Sequence, residues 1–334
     1  MPSHPRAPRK SIILDTDPGI GTPGSDVDDG LAIALGLRHP RCGLLGLTIV
    51  AGNVGQEEGV ANALRLLEIA GRIDVAVVRG AERPLWRDPG PIRERMAARR
   101  RDSVERFWDL GTFPAPRTTP AKIRAAEFIA DTVRARPGEV TIVAIGPCTN
   151  VATALLLDPA VARSVAEIVV MGGAIAVGGL VNPAVEFNIG YDPEAAAVVL
   201  ASGAPVTLVP LDVTTRTHMT ARDLARLAAG GTPLHEFLGR TSQPWLRFAM
   251  EARDLRGFWL HDPLALAYAL DPIILTLTPM HVVVELGGAW TAGQLLGYPE
   301  SGRFLMPAPG PVNARVALGV DEPRFMKMFL ETLG

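Results

Sequence analysis

The chain has 334 residues, and its 33 lysines and arginines nearly balance its 35 aspartates and glutamates, which leaves a formal net charge of −2. Without an excess of positive charge, bulk electrostatic attraction to nucleic acid or to an anionic membrane is excluded as a basis for function. Apolar residues make up 48% and charged residues 20% of the chain. This composition is typical of a folded globular protein and excludes disorder of the whole chain.

The cysteine count and the apolar runs predict a cytoplasmic protein. Cys42 and Cys148 are too few for a disulfide framework, which favours a reducing compartment. The N-terminal segment is basic, but the apolar stretch behind it ends after four residues at Asp15, too early for a secretory signal. The longest uncharged run, between Glu194 and Asp212, is interrupted by glycine and proline and predicts no membrane span.

Short β-branched runs alternate with helical patterns over the first two thirds of the chain. The predicted strands cover residues 11–17, 44–51, 75–79, 140–146, 167–172 and 206–213. The predicted helices between them cover residues 29–37, 57–69, 121–135, 150–157 and 193–201. This alternation predicts an α/β fold with an open, mostly parallel sheet flanked by helices.

The rhythm changes after the sixth predicted strand. Helical spacing covers residues 221–229, 234–252 and 263–269, and strands at 280–286 and 313–320 enclose a glycine-rich hairpin region before a terminal helix. Because no linker separates the halves, we predict a single domain over residues 11–334 with these helical and hairpin elaborations. Residues 1–10 form an N-terminal extension.

Residues 81–120 lack strand periodicity and are rich in proline, which is typical of a lid or other inserted segment. The segment also holds a cluster of arginines: Arg93, Arg95, Arg99, Arg100, Arg101 and Arg106. Acidic residues lie among them and partly neutralise their charge. We therefore interpret the cluster as a solvated helix face in preference to an anion site.

The densest chemistry in the sequence is a group of five carboxylates, Asp15, Asp17, Asp26, Asp28 and Asp29. Asp17 ends the first predicted strand, where open α/β sheets bind their ligands. Asp28 and Asp29 fall in the first turn of the next helix, where capping needs only one acid. Several crowded carboxylates repel one another unless a cation neutralises them. With no zinc-type cluster of cysteine and histidine, a hard ion, Ca²⁺ or Mg²⁺, is favoured.

Residues 13–20, Ile-Leu-Asp-Thr-Asp-Pro-Gly-Ile, together with Asp28 and Asp29, resemble the N-terminal signature of the nucleoside hydrolases, the inosine-uridine preferring N-ribohydrolase family. Five further motifs follow in the order of that family, at residues 50–53, 146–150, 170–173, 186–195 and 261–263. The resemblance spans residues 11–330. It implies calcium-dependent hydrolysis of the N-glycosidic bond of ribonucleosides in purine or pyrimidine salvage, by a cytoplasmic dimer or tetramer.

The resemblance also implies roles for individual residues. The calcium ligands fall on Asp17, Asp29, Asp262 and the backbone carbonyl of Ile145, and the ribose contacts fall on Asp28, Asn53, Glu186 and Asn188. Asp17 is expected to accept a proton from the attacking water. His261 is expected to donate a proton to the departing base.

Three departures from the family pattern concern the substrate. Residues 21–27 are an insertion before the aspartate pair, and Asp26 at its end is close enough in sequence to reach the pocket. Leu180 stands where the family has an asparagine, and Asn182 lies nearby. The base-side histidine motif has no clear match, and the nearest stretch is residues 106–111. Its Phe107 and Trp108 are predicted to pack beneath the loop in preference to stacking on a base. The sequence therefore predicts no base preference.

Two alternatives stay open at this stage. One is a nucleoside- or ribose-binding protein with weak or lost catalysis, which has less need of His261 beside Asp262. The other is a metal-dependent phosphohydrolase that uses Asp15 or Asp17 as nucleophile. That chemistry needs a lysine at a later strand end, and the chain has only Lys10, Lys122 and Lys327.

Overall fold

The computed structural model describes residues 9–109, 111, 113–302 and 304–334. Most of the predicted N-terminal extension, residues 1–8, lies outside this part of the chain. So do Leu110 of the segment 106–111 and the side chain of Arg99 in the arginine cluster.

A nine-stranded sheet forms the centre of the molecule, in the order β10-β9-β11-β6-β5-β4-β1-β2-β3, and β7 and β8 pair separately. Its strands are parallel except β9, which runs antiparallel to both of its neighbours. The prediction of an open, mostly parallel α/β sheet is confirmed. The strands are β1 (Lys10–Thr16), β2 (Cys42–Ile49), β3 (Ala76–Arg79), β4 (Val140–Ala144), β5 (Glu167–Met171), β6 (Val206–Val209), β7 (His218–Met219), β8 (Phe258–Trp259), β9 (Leu275–Val284), β10 (Leu295–Pro299) and β11 (Ala314–Val320).

Helices cover both faces of the sheet. They are α1 (Asp28–Arg38), α2 (Gln56–Ala70), α3 (Gly90–Phe107), α4 (Ala125–Ala135), α5 (Thr149–Leu157), α6 (Ala160–Ser164), α7 (Phe187–Tyr191), α8 (Pro193–Ala201), α9 (Leu211–Thr214), α10 (Ala221–Ala228), α11 (Pro233–Ala252), α12 (His261–Leu270) and α13 (Glu322–Leu333), with a 3₁₀ turn at Pro272–Ile274. Every helix among the described residues is too short or too polar to cross a lipid bilayer.

The side-chain period of the central strands divides the core into two layers. In β1, Ile12 and Leu14 face the layer covered by α1 and α12, whereas Ile13 faces the layer of α4, α5 and α8. α1 and α12 are apolar on all sides and almost completely buried, and they pack against each other. This burial fixes both helices firmly against the sheet.

The chain order of the sheet places a switch point between β1 and β4. From β1 the chain continues outward through β2 and β3, then returns to β4 on the other side of β1. Open α/β sheets bind ligands in the crevice that this reversal leaves beyond the carboxyl ends of the strands. Asp17 directly follows β1 and Ile145 directly follows β4, so both lie at this crevice.

Some predicted element boundaries are wrong for local reasons. The strand predicted to reach residue 213 ends at Val209, because Pro210 has no N–H for the sheet and α9 begins at Leu211. The helix predicted from residue 121 begins at Ala125, and Ala121 instead forms an isolated bridge to Val78. The segment 81–120, predicted without an assigned element, contains the 18-residue helix α3.

Candidate active site

Two helices begin at the same point of the sheet edge, and each brings acidic side chains to it. Asp28 and Asp29 are the first two residues of α1, and Asp262 is the second residue of α12. One carboxylate oxygen of each lies within 4.8 Å of the others, and all three side chains are buried. We call these three residues the acidic trio. The backbone N–H of Asp262 donates to Asp28 Oδ2 at 3.3 Å, which joins the two helix N-termini directly.

Burial makes the acidic trio costly in its charged form. Burial and the charge of Asp26 raise the pKa of Asp28 well above its usual range, and burial and the charge of Asp28 do the same to the pKa of Asp262. Burial also raises the pKa of Asp29. The dipoles of α1 and α12 offset only part of this cost. The trio could hold a hard divalent cation, which would remove the repulsion.

Asp17 lies beside the trio with one carboxylate oxygen engaged and one not. Its Oδ2 accepts from the backbone N–H of Asn53 at 2.6 Å, whereas Oδ1 is buried and has no hydrogen-bond partner among the described residues. The approach is so close that a Cβ atom on Gly52 would lie 2.0 Å from Oδ2. Burial and the charge of Asp29 raise the pKa of Asp17 well above its usual range. An unpartnered buried oxygen next to three carboxylates fits a further metal ligand.

Hydrogen bonds fix the position of Asp29 on both of its oxygens. Oδ1 accepts from Thr16 Oγ1 at 2.5 Å and from the backbone N–H of Asp17 at 3.1 Å. Oδ2 accepts from Asn53 Nδ2 at 3.0 Å. Asn53 therefore orients both Asp17 and Asp29, through its backbone and its side chain respectively.

The far side of the crevice is built from β4, β5 and α7. Asn188 Nδ2 donates to the carbonyl oxygen of Ile145 at 2.9 Å and to that of Met171 at 3.1 Å. Glu186 caps α7 and accepts from the backbone N–H groups of Gly173, Asn188 and Ile189. Burial raises the pKa of Glu186, although these three donors oppose the shift.

His261 is the first residue of α12, directly before Asp262. Its Nδ1 lies 2.7 Å from Thr214 Oγ1, and its ring is tilted against the ring of Trp259 with centroids 5.5 Å apart. Burial lowers the pKa of His261 to about 3. The imidazole is therefore neutral near pH 7, and its Nδ1 forms a hydrogen bond with the Thr214 hydroxyl.

A cavity of about 680 Å³ opens above these groups. Seven of the nine residues assigned from the sequence line it: Asp28, Asn53, Ile145, Glu186, Asn188, His261 and Asp262. The other two, Asp17 and Asp29, are completely buried beside it and are tied to Asn53 by hydrogen bonds. The structure thus brings all nine residues to one place.

Helix α3 covers the cavity, and this corrects the interpretation of its arginines as a solvated face. Arg93 donates to Tyr191 Oη at 3.1 Å and to the carbonyl oxygen of Glu82 at 2.6 Å. Arg100 donates to Ser25 Oγ at 3.2 Å and to the carbonyl oxygen of Asn53. The solvated interpretation is therefore wrong for these two side chains, although others of the cluster, Arg95, Arg101 and Arg106, are exposed.

The inserted residues 21–27 form part of the cavity wall, and Asp26 reaches it as the sequence allows. Leu180, at the position where the family has an asparagine, also lines the cavity. Asn182 does not replace that asparagine, because its side chain accepts from the N–H of Ala184 and donates to the carbonyl oxygen of Trp290.

The aromatic pair of the segment 106–111 is structural. Phe107 and Trp108 are buried and pack against Phe248, and Trp108 also packs against Trp245. Packing beneath the loop is thus confirmed. The aromatic residues that line the cavity are instead Phe187, Trp245 and Trp259.

Several cavity residues have no signal in the sequence. They are Trp245, Arg253, Leu255 and Trp259, together with Thr214 beside His261. None belongs to a compact motif, and only the fold brings them together. Buried carboxylates beside a cavity at the switch point of an open α/β sheet are typical of an enzyme that acts on a small polar substrate.

Comparison with known proteins identifies the family. The family model described as inosine-uridine preferring nucleoside hydrolase matches residues 12–327. The chain is 37% identical over 329 residues to a probable uridine nucleosidase 2 of Arabidopsis thaliana, covering 97% of this chain and 98% of the relative. It is 35% identical over 324 residues to the pyrimidine-specific ribonucleoside hydrolase RihA of Citrobacter koseri, covering 96% and 97%.

Solved structures agree with this result. A plant nucleoside hydrolase, PpNRh1, superimposes with a TM-score of 0.84 at 33% identity, over 98% of this chain and 99% of its own. A purine-preferring ribonucleoside hydrolase of Gardnerella vaginalis gives a TM-score of 0.82 at 33% identity, over 97% and 98%.

The chain belongs to the inosine-uridine preferring nucleoside hydrolase family. It is an N-glycosyl hydrolase that cleaves ribonucleosides to ribose and a free base. This result decides against the binding-protein and phosphohydrolase alternatives.

Proposed function

We propose that the protein is a calcium-dependent ribonucleoside hydrolase whose metal ligands are Asp17, Asp29, Asp262 and the carbonyl oxygen of Ile145. The single observation that carries this proposal is the unpartnered Oδ1 of buried Asp17 next to the acidic trio. All ligands are oxygens, and several are carboxylates, which suits Ca²⁺. The hydrogen bond from Asn188 occupies one lone pair of the Ile145 carbonyl and leaves the other for a cation.

The bound ion would supply Lewis acidity, lowering the pKa of water and binding the ribose diol. The Asp17 carboxylate accepts the proton of the attacking water on a lone pair that neither the backbone N–H of Asn53 nor the ion would occupy. Asp28 and Asn53 line the cavity. Asp28 accepts hydrogen bonds from the 2′- and 3′-hydroxyls of the ribose, and Asn53 donates to them. Glu186 and Asn188 hold the 5′ side of the sugar, and together these contacts fix the anomeric carbon for attack.

His261 assists departure of the base. In the tautomer that this proposal assigns, Thr214 Oγ1 donates to Nδ1 and the neutral ring carries its hydrogen on Nε2, which donates to the base as the glycosidic bond breaks. The residual charge of an oxocarbenium-like transition state is stabilised by the carboxylates below it.

The organisation of the chain and its setting belong to the same proposal. Residues 11–334 act as one domain in which residues 81–120 form the lid, supported by the contacts of α3 with the cavity. Exposed apolar side chains such as Trp290 and Leu305 support a dimer or tetramer. Two buried free cysteines, Cys42 and Cys148, support a cytoplasmic protein of nucleoside salvage.

The test is ribose release from a panel of nucleosides, measured by a reducing-sugar assay before and after chelation. Chelation should abolish turnover, and Ca²⁺ should restore it better than Mg²⁺ or Zn²⁺. Asp17→Asn, which keeps the shape of the side chain, should lower kcat by about 10²- to 10⁴-fold in a folded protein. Asp131→Asn, an exposed position on α4, is the control. Full activity after chelation, or in folded D17N, would contradict the proposal.

A further inference from the structure

The stretch from the second half of α11 to the first residue of α12 forms one wall of the cavity. Its contribution consists of Trp245, Arg253, Leu255, Trp259 and His261. The proposed function assigns His261 to the departing base, and the inference made here rests on that assignment. Trp259 packs on His261, so this wall adjoins the base, whereas α7 supplies the groups assigned to the sugar.

Arg253 is the cationic group of this wall, and it is held by aromatic rings. Its guanidinium carbon lies 5.4 Å from the ring centroid of Trp245 and 5.2 Å from that of Phe248. Among the described residues, no carboxylate, hydroxyl or carbonyl oxygen accepts a hydrogen bond from it. A guanidinium stacked by its face keeps its N–H groups at the edge, directed away from the rings. Arginine has five such donors and no acceptor.

The backbone around Arg253 is fixed in an unusual turn. Asp254 has a φ of 54°, and it is the single non-glycine residue with positive φ among those described. The N–H of Leu255 donates to the carbonyl oxygen of Ala249 at 3.1 Å and closes the turn onto α11. Strained conformations of this kind persist where the surrounding structure demands them, often at ligand sites. Here the turn places Arg253 and Leu255 on the cavity wall.

We infer that Arg253 determines specificity by donating to an exocyclic carbonyl oxygen of the base. Uracil and hypoxanthine each present a carbonyl where cytosine and adenine present an amino group. A guanidinium, which has donors only, forms a hydrogen bond with a carbonyl oxygen. Opposite an amino group it faces another donor and stays unpaired. The same contact stabilises the negative charge that develops on the carbonyl oxygen as the base departs. The enzyme should therefore select uridine over cytidine and inosine over adenosine, in both cases through the exocyclic carbonyl oxygen.

The experiment compares kcat/KM for two matched pairs of substrates, uridine with cytidine and inosine with adenosine. The wild-type protein should favour the carbonyl-bearing member of each pair by about tenfold or more. Arg253→Met should lower kcat/KM for uridine and inosine by roughly 10- to 100-fold, the loss typical of one hydrogen bond to a charged group, while changing cytidine and adenosine by less than about threefold. The two ratios should therefore fall toward one.

Arg247→Met is the matched control, because Arg247 lies on α11 with its side chain half exposed and pairs with Glu251 outside the cavity. Equal losses for both members of each pair, or no loss, would overturn the inference. If R253M does not fold, Arg253→Lys serves instead, and it should keep the direction of both preferences at reduced size. If the wild type releases ribose but prefers neither uridine over cytidine nor inosine over adenosine, the role of Arg253 is rejected and the proposed function stands. Absence of ribose release from all four nucleosides would reject the proposed function itself.

Discussion

The neutral state of His261 defines what this residue can do for the leaving base. A ring whose pKa is lowered to about 3 by burial is uncharged near neutrality, so in the proposed mechanism it helps the base by donating a hydrogen bond from Nε2 and not as an imidazolium. Such help matters in proportion to the basicity of the leaving group. Nucleobases leave poorly as anions, whereas a nitrophenolate leaves well without a proton.

We therefore predict that His261→Ala discriminates between leaving groups. The kcat for natural nucleosides should fall by about 10²- to 10⁴-fold, whereas hydrolysis of p-nitrophenyl ribofuranoside should fall by less than about tenfold. Thr214→Val should give a smaller loss of the same pattern, because it removes only the group that fixes the ring tautomer. His281→Ala, in β9 and away from the cavity, is the control. An equal loss on both substrate classes would mean that His261 acts on the sugar or on the fold.

The residues of the site divide by how far the sequence could predict them. Asp17, Asp28 and Asp29 stand in one short motif, and their residue types at the end of a strand already indicate oxygen ligation. Trp245, Arg253 and Trp259 are separated along the chain and carry no local signature, so only the turn at Asp254 and the packing of α11 bring them to one wall. Motifs therefore predict the residues proposed to bind the sugar and the metal, whereas three-dimensional packing assembles the wall proposed to face the base.

At the scale of elements, α3 and the inserted loop before α1 form one unit over the cavity. Gly24 packs against Arg100 and Val104 of α3, and Arg100 donates to Ser25. The same guanidinium donates to the carbonyl oxygen of Asn53. Because Asn53 orients both Asp17 and Asp29, Arg100 links α3 to two of the proposed metal ligands.

We predict that Arg100→Gln raises KM about tenfold, since it releases the loop and the carbonyl of Asn53 together. The kcat should fall less, because Asp17 and Asp29 keep their own hydrogen bonds to Asn53. The matched control is Arg101→Gln, the neighbouring but exposed arginine of the same helix. Steady-state kinetics and thermal melting of both variants make the comparison. Identical KM values for R100Q and R101Q would remove α3 from substrate binding.

The elements also show which local rules the sequence expresses clearly. Strands β1 to β6 were predictable because each contains a run of β-branched and aliphatic residues, which is typical of buried parallel strands. Helix α3 was not predictable as an element, because it is strongly polar and contains Pro91. Tertiary contacts such as those of Arg93 and Arg100 hold it in place. The extent of β9 was also underestimated, since its first half pairs with β11 at the edge, where partly exposed residues weaken the apolar pattern.

At the scale of the whole molecule, the proposed metal site joins parts of the chain that are far apart in sequence. The proposed ligands are Asp17 directly after β1, Asp29 in α1, Ile145 directly after β4 and Asp262 in α12. Both α1 and α12 are among the most buried helices. The free protein must keep these carboxylates out of water at a cost in folding free energy. A bound cation removes that cost and adds the binding free energy to the stability of the fold.

We accordingly predict that Ca²⁺ stabilises the chelated protein against heat. A ligand at 100 times its Kd contributes about 2.7 kcal/mol, which corresponds to several degrees in Tm for a chain of this size. The shift also depends on pH. The pKa values of Asp28, Asp29 and Asp262 are raised in the folded, metal-free protein, so their ionisation lowers stability progressively as pH rises above the unfolded value near 4. Calcium should therefore raise Tm more at about pH 8 than at about pH 5.

Melting curves with and without Ca²⁺ at both pH values test this linkage independently of catalysis. Asp262→Asn removes one ligand charge from the centre of the trio, so it should raise the Tm of the metal-free protein at the higher pH and abolish most of the calcium shift. Asp74→Asn, an exposed carboxylate paired with Arg72, should leave the shift intact. A calcium shift of the same size in D262N and in the wild type would show that the ion stabilises the protein from another site.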